Sequence, residues 1–187
     1  MSTEAKTLID ELYEAEGKAE IVRGEVVSMS PSGKWHGRAA DNILLSLRAY
    51  ERKHKRGFAF GDNVGFLVTL PNRGSFSPDV AWYVGEIGNL TSDDALDLID
   101  GAPTFAIEIR SKNDYGKRAE RKIAEKITDY FTSGTLAVWD VDLKGDEPIK
   151  LHLTDRPDNP MVFKYGETAH AEPILPGWKF PVDDLSS

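Results

Sequence analysis

The chain has 187 residues, of which 40% are hydrophobic and 29% charged, with a formal net charge of -8 and no cysteine. This composition excludes a disordered chain, and the lack of cysteine excludes a disulfide framework, a thiolate metal site and a cysteine nucleophile. The apolar runs fall far short of the ~20 residues that cross a bilayer, and no apolar signal region opens the sequence. We therefore expect one cytoplasmic domain over residues 1–187 without a membrane segment.

Two elements are predicted at the start of the chain. Apolar residues at helical spacing indicate a short amphipathic helix that ends near Gly17. The residues with this spacing are Ala5, Leu8, Ile9 and Leu12. A β-hairpin should follow, because AEIVRGEVVSM has two β-rich runs around Arg23 and Gly24, and the glycine can supply the positive φ of a tight turn. Glu25 lies just past that turn.

A second helix is predicted after the chain break at residues 31–33, reaching about Lys53. Its inward stripe consists of His36, Ala40, Ile43, Leu44 and Leu47. The runs NVGFLVTL and SPDVAWYV predict strands, the first ended by a turn at residues 71–74 and the second entered through Pro78. Residues 85–103, rich in glycine and aspartate, predict a loop.

The second half of the chain continues this mixture of strands and helices. PTFAIEIRS predicts a strand, and residues 114–133 predict an amphipathic helix closed by Gly134. The run TLAVWDVD is nearly continuous in apolar residues, which favours a central strand. Short β-rich runs at residues 149–153 and 161–164 indicate an antiparallel C-terminal edge. The predicted fold class is therefore α/β (α+β).

Glu108 lies inside an apolar strand. Since side chains alternate along a strand, the flanking Ile107 and Ile109 should share one face of the sheet and Glu108 the other. A carboxylate in such a run destabilises the fold unless a cation or hydrogen bonds compensate its charge. A divalent metal ion would provide this compensation, and so would a salt bridge to Arg110 or Lys126.

Asp79 raises the same question at the start of the strand VAWYV, where Pro78 fixes the approach of the chain. Carboxylate oxygens are the ligands that Mg²⁺ prefers in proteins. If the two strands are neighbours, one ion could touch both Asp79 and Glu108, with the backbone carbonyl of Ile109 as a third donor. Taken alone, a Pro-Asp pair indicates only a turn.

Several short motifs follow one another in a specific order. They are GE in the hairpin, MSP, a following His, PDV, AIEIRS, K-x-x-x-Y on a helix, AVWDVD and LPGW. This ordered set, over roughly residues 20–185, resembles the Uma-two family of restriction endonucleases within the PD-(D/E)XK nuclease superfamily. The resemblance implies a restriction-endonuclease-like mixed sheet flanked by helices.

The resemblance also implies a set of site residues. Asp79 and Glu108 would bind Mg²⁺ or Mn²⁺, and Lys126 would be the family's lysine, migrated from the strand to a helix. Glu25 and His36 match further polar positions of the family's site. Without the resemblance, Lys126 could equally be a surface lysine, and His36 a buried structural residue.

One position departs from the pattern of the superfamily. Arg110 stands at the third place of the E-x-K motif, where the wider superfamily carries lysine. Because arginine is permanently charged, Arg110 cannot act as a base. It could help to neutralise a phosphate, substitute for Lys126 or pair with Glu108. Ser111 matches the family's serine.

Charge is unevenly distributed along the chain. Residues 110–126 carry seven basic and three acidic side chains, whereas residues 79–100 carry six carboxylates and no base. The basic run predicts a surface that contacts phosphates, with a solvated helix face as the alternative. The predicted DNA contacts are Arg110, Ser111, Lys112, Lys117, Arg118 and Lys122.

These features predict a Mg²⁺-dependent DNA endonuclease with a two-carboxylate site. A homodimer would most easily cut both strands. The alternative is a nuclease-fold protein that does not cut and serves as a nucleic-acid-binding or interaction module. In a third interpretation, the acidic residues form only a stabilising charge network.

Overall fold

A computed structural model describes residues 7–187, with three α-helices and thirteen β-strands in this part of the chain. The helices are α1 (Leu8–Glu14), α2 (Lys34–His54) and α3 (Lys117–Thr132), and a 3₁₀ helix covers Val182–Ser186. Thr7 begins α1 through a capping box, since its hydroxyl accepts the N–H of Asp10 while the Asp10 carboxylate accepts the N–H of Thr7. Ala5, predicted to belong to the first helix, lies outside the described residues.

The strands form a six-stranded sheet, a five-stranded sheet and a two-stranded ribbon. They are β1 (Ala19–Val22), β2 (Glu25–Ser28), β3 (Phe58–Phe60), β4 (Phe66–Leu70), β5 (Arg73–Phe76), β6 (Val80–Tyr83), β7 (Ile99–Asp100), β8 (Phe105–Ile109), β9 (Ala137–Val141), β10 (Ile149–Leu153), β11 (Arg156–Phe163), β12 (Thr168–His170) and β13 (Lys179–Pro181).

The six-stranded sheet has the order β11-β10-β9-β8-β6-β3. Its central pair, β8 and β9, is parallel, and the other neighbours are antiparallel. All five residues of β9 are buried, which confirms the central strand predicted from its apolar run. The predicted antiparallel C-terminal edge is confirmed by β10 and β11.

The five-stranded sheet has the order β2-β1-β5-β4-β7 and contains the predicted hairpin. Arg23 and Gly24 both have positive φ, at 54° and 76°, as a two-residue turn with the twist of a hairpin requires. The turn predicted at residues 71–74 is wrong in its second half, because β5 begins at Arg73. A Cβ on Gly74 would lie 2.8 Å from Cγ2 of Ile21, so this glycine permits the close approach of β1 to β5 within the sheet.

Helices cover both faces of the six-stranded sheet. One face packs against α2 through a cluster that contains Ile43, and the other packs against α3 through a cluster that contains Tyr130 and aromatic rings of the five-stranded sheet. The alternation predicted for β8 is confirmed, since Ile107 belongs to the first cluster and Ala106 to the second. Glu108 therefore lies on the α3 side of the sheet.

Candidate functional site

Asp79 and Glu108 lie at the same end of the neighbouring strands β6 and β8, close enough for their charges to interact. In the antiparallel pair β6 and β8, Val80 is paired with Ile107; Asp79 comes directly before Val80, and Glu108 directly after Ile107. The N–H of Asp79 donates to the carbonyl of Ile107 at 3.1 Å, and because Ile107 is already the partner of Val80, the regular pairing ends at Val80. Glu108 contacts side chains of α3 and Asp79 contacts His36 of α2, so strand alternation does not assign the two carboxylates to one face of the sheet.

The carboxylate of Asp79 is held at both oxygens. Its Oδ2 accepts the backbone N–H of Ile109 at 2.7 Å and lies 3.2 Å from Nε2 of His36, and its Oδ1 accepts Nζ of Lys18 at 2.6 Å. Burial alone would raise the pKa of Asp79, but the hydrogen bond with His36 and the charge of Lys18 outweigh it and hold this pKa well below its ordinary value. Asp79 is therefore an ionised carboxylate with a fixed orientation.

Glu108 is contacted by two side chains of α3. Nζ of Lys126 lies 2.9 Å from Oε1 of Glu108, and the Tyr130 hydroxyl donates to the same oxygen at 2.5 Å. Lys126 and Tyr130 are four residues apart and so share one side of the helix. Burial lowers the pKa of Lys126, but the charges of Glu108 and Glu20 outweigh it and raise this pKa above its ordinary value. Lys126 is therefore a cation.

Glu20, which the sequence predictions missed, is the third carboxylate at this place. Its Oε1 lies 2.9 Å from Nζ of Lys126 and accepts the N–H of Ser77 at 2.8 Å, and its Oε2 accepts Nη1 of Arg73 at 2.7 Å. Arg73 also donates to Asp129 of α3 at 2.8 Å. Glu20 thereby joins the five-stranded sheet to the helix that carries Lys126. We call Glu20, Asp79 and Glu108 the carboxylate cluster.

Comparison with known proteins gives this cluster a context. The sequence model of the Uma2 family, described as "Putative restriction endonuclease", matches residues 7–183. The chain belongs to the Uma2 family. Among functionally curated protein sequences, no match was found.

The Uma2 chain shares its fold with a solved structure, described as a "putative nuclease belonging to DUF820" from Anabaena variabilis ATCC 29413. The two have a TM-score of 0.74 and 16% sequence identity, and the match covers 96% of this chain and 97% of that one. The predicted fold class, a mixed nuclease-like sheet flanked by helices, is thus confirmed. No helix within residues 7–187 is both long and apolar enough to span a bilayer.

Of the polar residues suggested by the Uma2 resemblance, the structure brings His36 to the carboxylate cluster and leaves Glu25 at its margin. His36 is buried near the start of α2, against Asp79. Glu25 is exposed at the turn end of the hairpin, paired with Val22, two residues beyond Glu20 on β1. Within this hairpin, it is therefore Glu20 of β1 that reaches the site, and not Glu25 of β2, which the resemblance implies.

Arg110 is fully engaged elsewhere on the sheet surface. Its Nε and Nη2 donate to the two oxygens of Asp140 at 2.8 and 2.7 Å, and it also pairs with Glu120. Ser111 donates its hydroxyl to Asp114 at 2.6 Å. Of the roles left open for Arg110, an ion pair with Glu108 is therefore replaced by pairs with two other acids. The remaining predicted phosphate contacts are exposed; they are Lys112, Lys117, Arg118 and Lys122.

The donor set of the carboxylate cluster suits a small divalent cation. Within residues 7–187, no group of three or more His, Cys, Asp or Glu side chains has a coordinating arrangement. Mg²⁺ does not need one, because it usually takes one or two carboxylates and completes its shell with water and substrate phosphate. Asp79 and Glu108 offer this pair of carboxylates, and the ammonium of Lys18 already occupies a cation position at Asp79. The residues present fit the metal that the family implies.

The lowered pKa of Asp79 makes the stability of the metal-free protein depend on pH. A carboxyl whose folded pKa is depressed contributes stability above its unfolded pKa, which is about 4, and loses this contribution as the pH falls towards the folded value. We expect the melting temperature of the wild type to fall more steeply than that of Asp79→Asn between about pH 5 and about pH 3. Thermal melts in EDTA at several pH values measure this, and parallel curves would contradict it.

Proposed function

We propose that this Uma2 protein is a single-domain, metal-dependent endodeoxyribonuclease that hydrolyses phosphodiester bonds in DNA. The observation that carries the proposal is the pair of carboxylates Asp79 and Glu108 at one end of β6 and β8, with Nζ of Lys126 2.9 Å from Oε1 of Glu108. The family description and the similar solved structure support a nuclease activity. Mg²⁺ or Mn²⁺ would bind Asp79 and Glu108, with the backbone carbonyl of Ile109 as a third donor.

A bound divalent ion supplies the activation of water and the neutralisation of charge on the phosphate. The protein's own residues orient the two carboxylates that would bind this ion. Ile109 and His36 both contact Oδ2 of Asp79, so we assign His36 to positioning this carboxylate. Tyr130 of α3 fixes Glu108 by donating a hydrogen bond to its Oε1.

Lys126 acts through its charge. Since its pKa lies above the ordinary value for lysine, Lys126 keeps its proton and is a poor base. Its positive charge can stabilise the negative charge that grows on phosphate oxygens, and its N–H groups can orient the attacking water. Glu20 holds Lys126 in place from the five-stranded sheet.

The exposed basic residues around α3 would hold the DNA backbone. Three of them lie on the helix that carries Lys126 and one lies before it, and all are exposed; they are Lys117, Arg118 and Lys122 on α3, and Lys112. Arg110 and Ser111 belong to the same basic run, but both are bound to acids of this chain. They would therefore lie at the edge of the surface that contacts phosphates. Because such contacts release counterions, binding should weaken as salt increases. A symmetric dimer would bring two sites to the two strands.

Cleavage assays with and without metal test the proposal. Plasmid and single-stranded DNA are incubated with purified protein in Mg²⁺, in Mn²⁺ or in EDTA. We expect nicked or shortened products with metal and none with EDTA, because the two carboxylates need the ion to activate water. Cleavage of equal extent in EDTA would contradict the proposal.

A nucleic-acid-binding module without cleavage is the second candidate. It is favoured by the position of Lys18, which already compensates the charge of Asp79. Calorimetric titration with Mn²⁺ separates the two candidates, because a module that only binds would show no metal uptake that depends on Asp79.

A further inference from the structure

Lys18 bridges the carboxylates of Asp79 and Asp62. Its Nζ lies 2.6 Å from Oδ1 of Asp79 and 2.7 Å from Oδ1 of Asp62, and the charge of Glu108 attracts it as well. The other oxygen of Asp79 is already bound by the N–H of Ile109. Oδ1 is therefore the oxygen with which Asp79 can bind a cation, and the ammonium group of Lys18 is bound there.

The two partners of Lys18 differ in their surroundings. The side chain of Asp79 is 6% exposed and that of Asp62 is 49% exposed, whereas Lys18 is 14% exposed. Asp62 is fixed locally, because its Oδ1 accepts the N–H of Asn63 at 2.9 Å. Lysine carries three donors on a flexible stem, so it can give up one carboxylate while it keeps the other.

We propose that Lys18 and Asp62 set the metal affinity of the site: Lys18 competes with the divalent cation for Oδ1 of Asp79, and Asp62 retains Lys18 when the cation binds. The inference rests on the proposed metal-dependent function. Two cations cannot share one carboxylate oxygen without strong repulsion in a buried site. Because the bond between Lys18 and Asp62 is already formed, the exchange leaves no buried charge without a partner.

Substitutions at Lys18 give effects of opposite sign. We expect Lys18→Met to bind Mn²⁺ about tenfold more tightly than the wild type, within the range usual for two linked equilibria. Lys18→Arg should bind Mn²⁺ more weakly, because the guanidinium fork can hold both carboxylates at once. The measurement is calorimetric titration of the whole chain with Mn²⁺. The control is Lys164→Met, which removes a lysine from an exposed ion pair with Glu147 and should leave the affinity unchanged.

Unchanged or weaker Mn²⁺ binding in Lys18→Met would overturn the proposal, and so would tighter binding in Lys18→Arg. Thermal melts establish that each variant folds. Should Lys18→Met fail to fold, Lys18→Arg still decides the question, because a simple effect of net charge predicts no change for this variant.

A double-mutant cycle tests the part assigned to Asp62. Asp62→Asn should weaken Mn²⁺ binding severalfold in the wild type. Without the carboxylate of Asp62, Lys18 has no second carboxylate of this pair to move to and competes more strongly with the ion for Asp79. The same substitution should have no effect in Lys18→Met. An equal loss in both backgrounds would show that Asp62 acts on the metal directly and would overturn its role as the alternate partner.

The experiment also separates this inference from the proposed function. If the wild type and Lys18→Met both lack Mn²⁺ uptake that depends on Asp79, the proposed function fails and the inference fails with it. If the wild type takes up Mn²⁺ through Asp79 and Lys18→Met has the same affinity, the inference alone fails.

Discussion

Asparagine at position 79 is expected to reduce metal-dependent DNA cleavage at least about a hundredfold, the effect typical of losing one electrostatic element of an active site. The amide keeps the shape of the side chain but removes the negative charge that would bind the ion. The same variant should melt at a lower temperature near neutral pH, because ionised Asp79 is favoured by His36, Lys18 and the N–H of Ile109 in the folded chain. Cleavage assays and thermal melts measure the two effects.

Glu108→Gln is the matched variant, and its effect on stability should have the opposite sign. Burial raises the pKa of Glu108; Lys126 opposes this, while Asp79 and Glu20 add to it, so the ionised carboxylate is less favourable in the folded chain than in the unfolded one. A raised folded pKa contributes stability at low pH that is lost as the pH rises through the folded value. We therefore expect Glu108→Gln to lose cleavage but to melt at or above the wild-type temperature at neutral pH.

The pair of variants separates chemistry from folding. If both lose cleavage while one is destabilised and the other is not, the loss belongs to the site. Two variants that both melt lower but keep full Mn²⁺ uptake would instead support the interpretation of the acids as a stabilising charge network. Cleavage that survives both substitutions would contradict the assignment of Asp79 and Glu108.

Arg73→Met is expected to lower the free energy of unfolding by about 3 kcal/mol or more, as is typical when one partner of a buried ion pair is removed. Arg73 is 8% exposed and pairs with Glu20 and Asp129, while its guanidinium lies 5.0 Å from the ring centroid of Phe76. Without it, one oxygen of the buried Glu20 loses its cation. Urea unfolding followed by circular dichroism measures the change.

The control for Arg73 is Arg48→Met. Arg48 forms an ion pair with Glu51 one turn along α2, but its side chain is 42% exposed. Exposed pairs of this kind are worth less than about 1 kcal/mol. Equal losses of stability in the two variants would show that Arg73 has no special place in the connection between the five-stranded sheet and α3.

Local patterns were sufficient to predict part of the carboxylate cluster. Glu108 was found because a carboxylate within an apolar strand needs compensation, and the same reasoning applied to AEIV would have found Glu20. The family resemblance indicates Glu25 instead. Strand alternation does not decide between these two glutamates, because the hairpin presents both to one face and only the position along it separates them.

Lys18, Asp62 and Arg73 could not be predicted from the sequence in the same way. Each is a charged residue in a loop, a turn or a short strand without periodic context, and each reaches the cluster through packing between distant segments. The strand β5 was missed for a related reason. Glycine is typical of turns, so Gly74 indicates a turn in the sequence. In the structure it lies in a strand, where it leaves space for Ile21 of the neighbouring strand.

Lys126 and Tyr130 have a consequence for recognising related sites in other sequences. Two side chains one helical turn apart converge on a single oxygen of Glu108, so their mutual spacing is set by the pitch of the helix. The segment between β8 and α3, residues 110–116, can lengthen or shorten without disturbing that convergence. A search that demands a fixed distance from the glutamate to the lysine would overlook such proteins, whereas one that demands lysine and tyrosine four apart on an amphipathic helix would retain them.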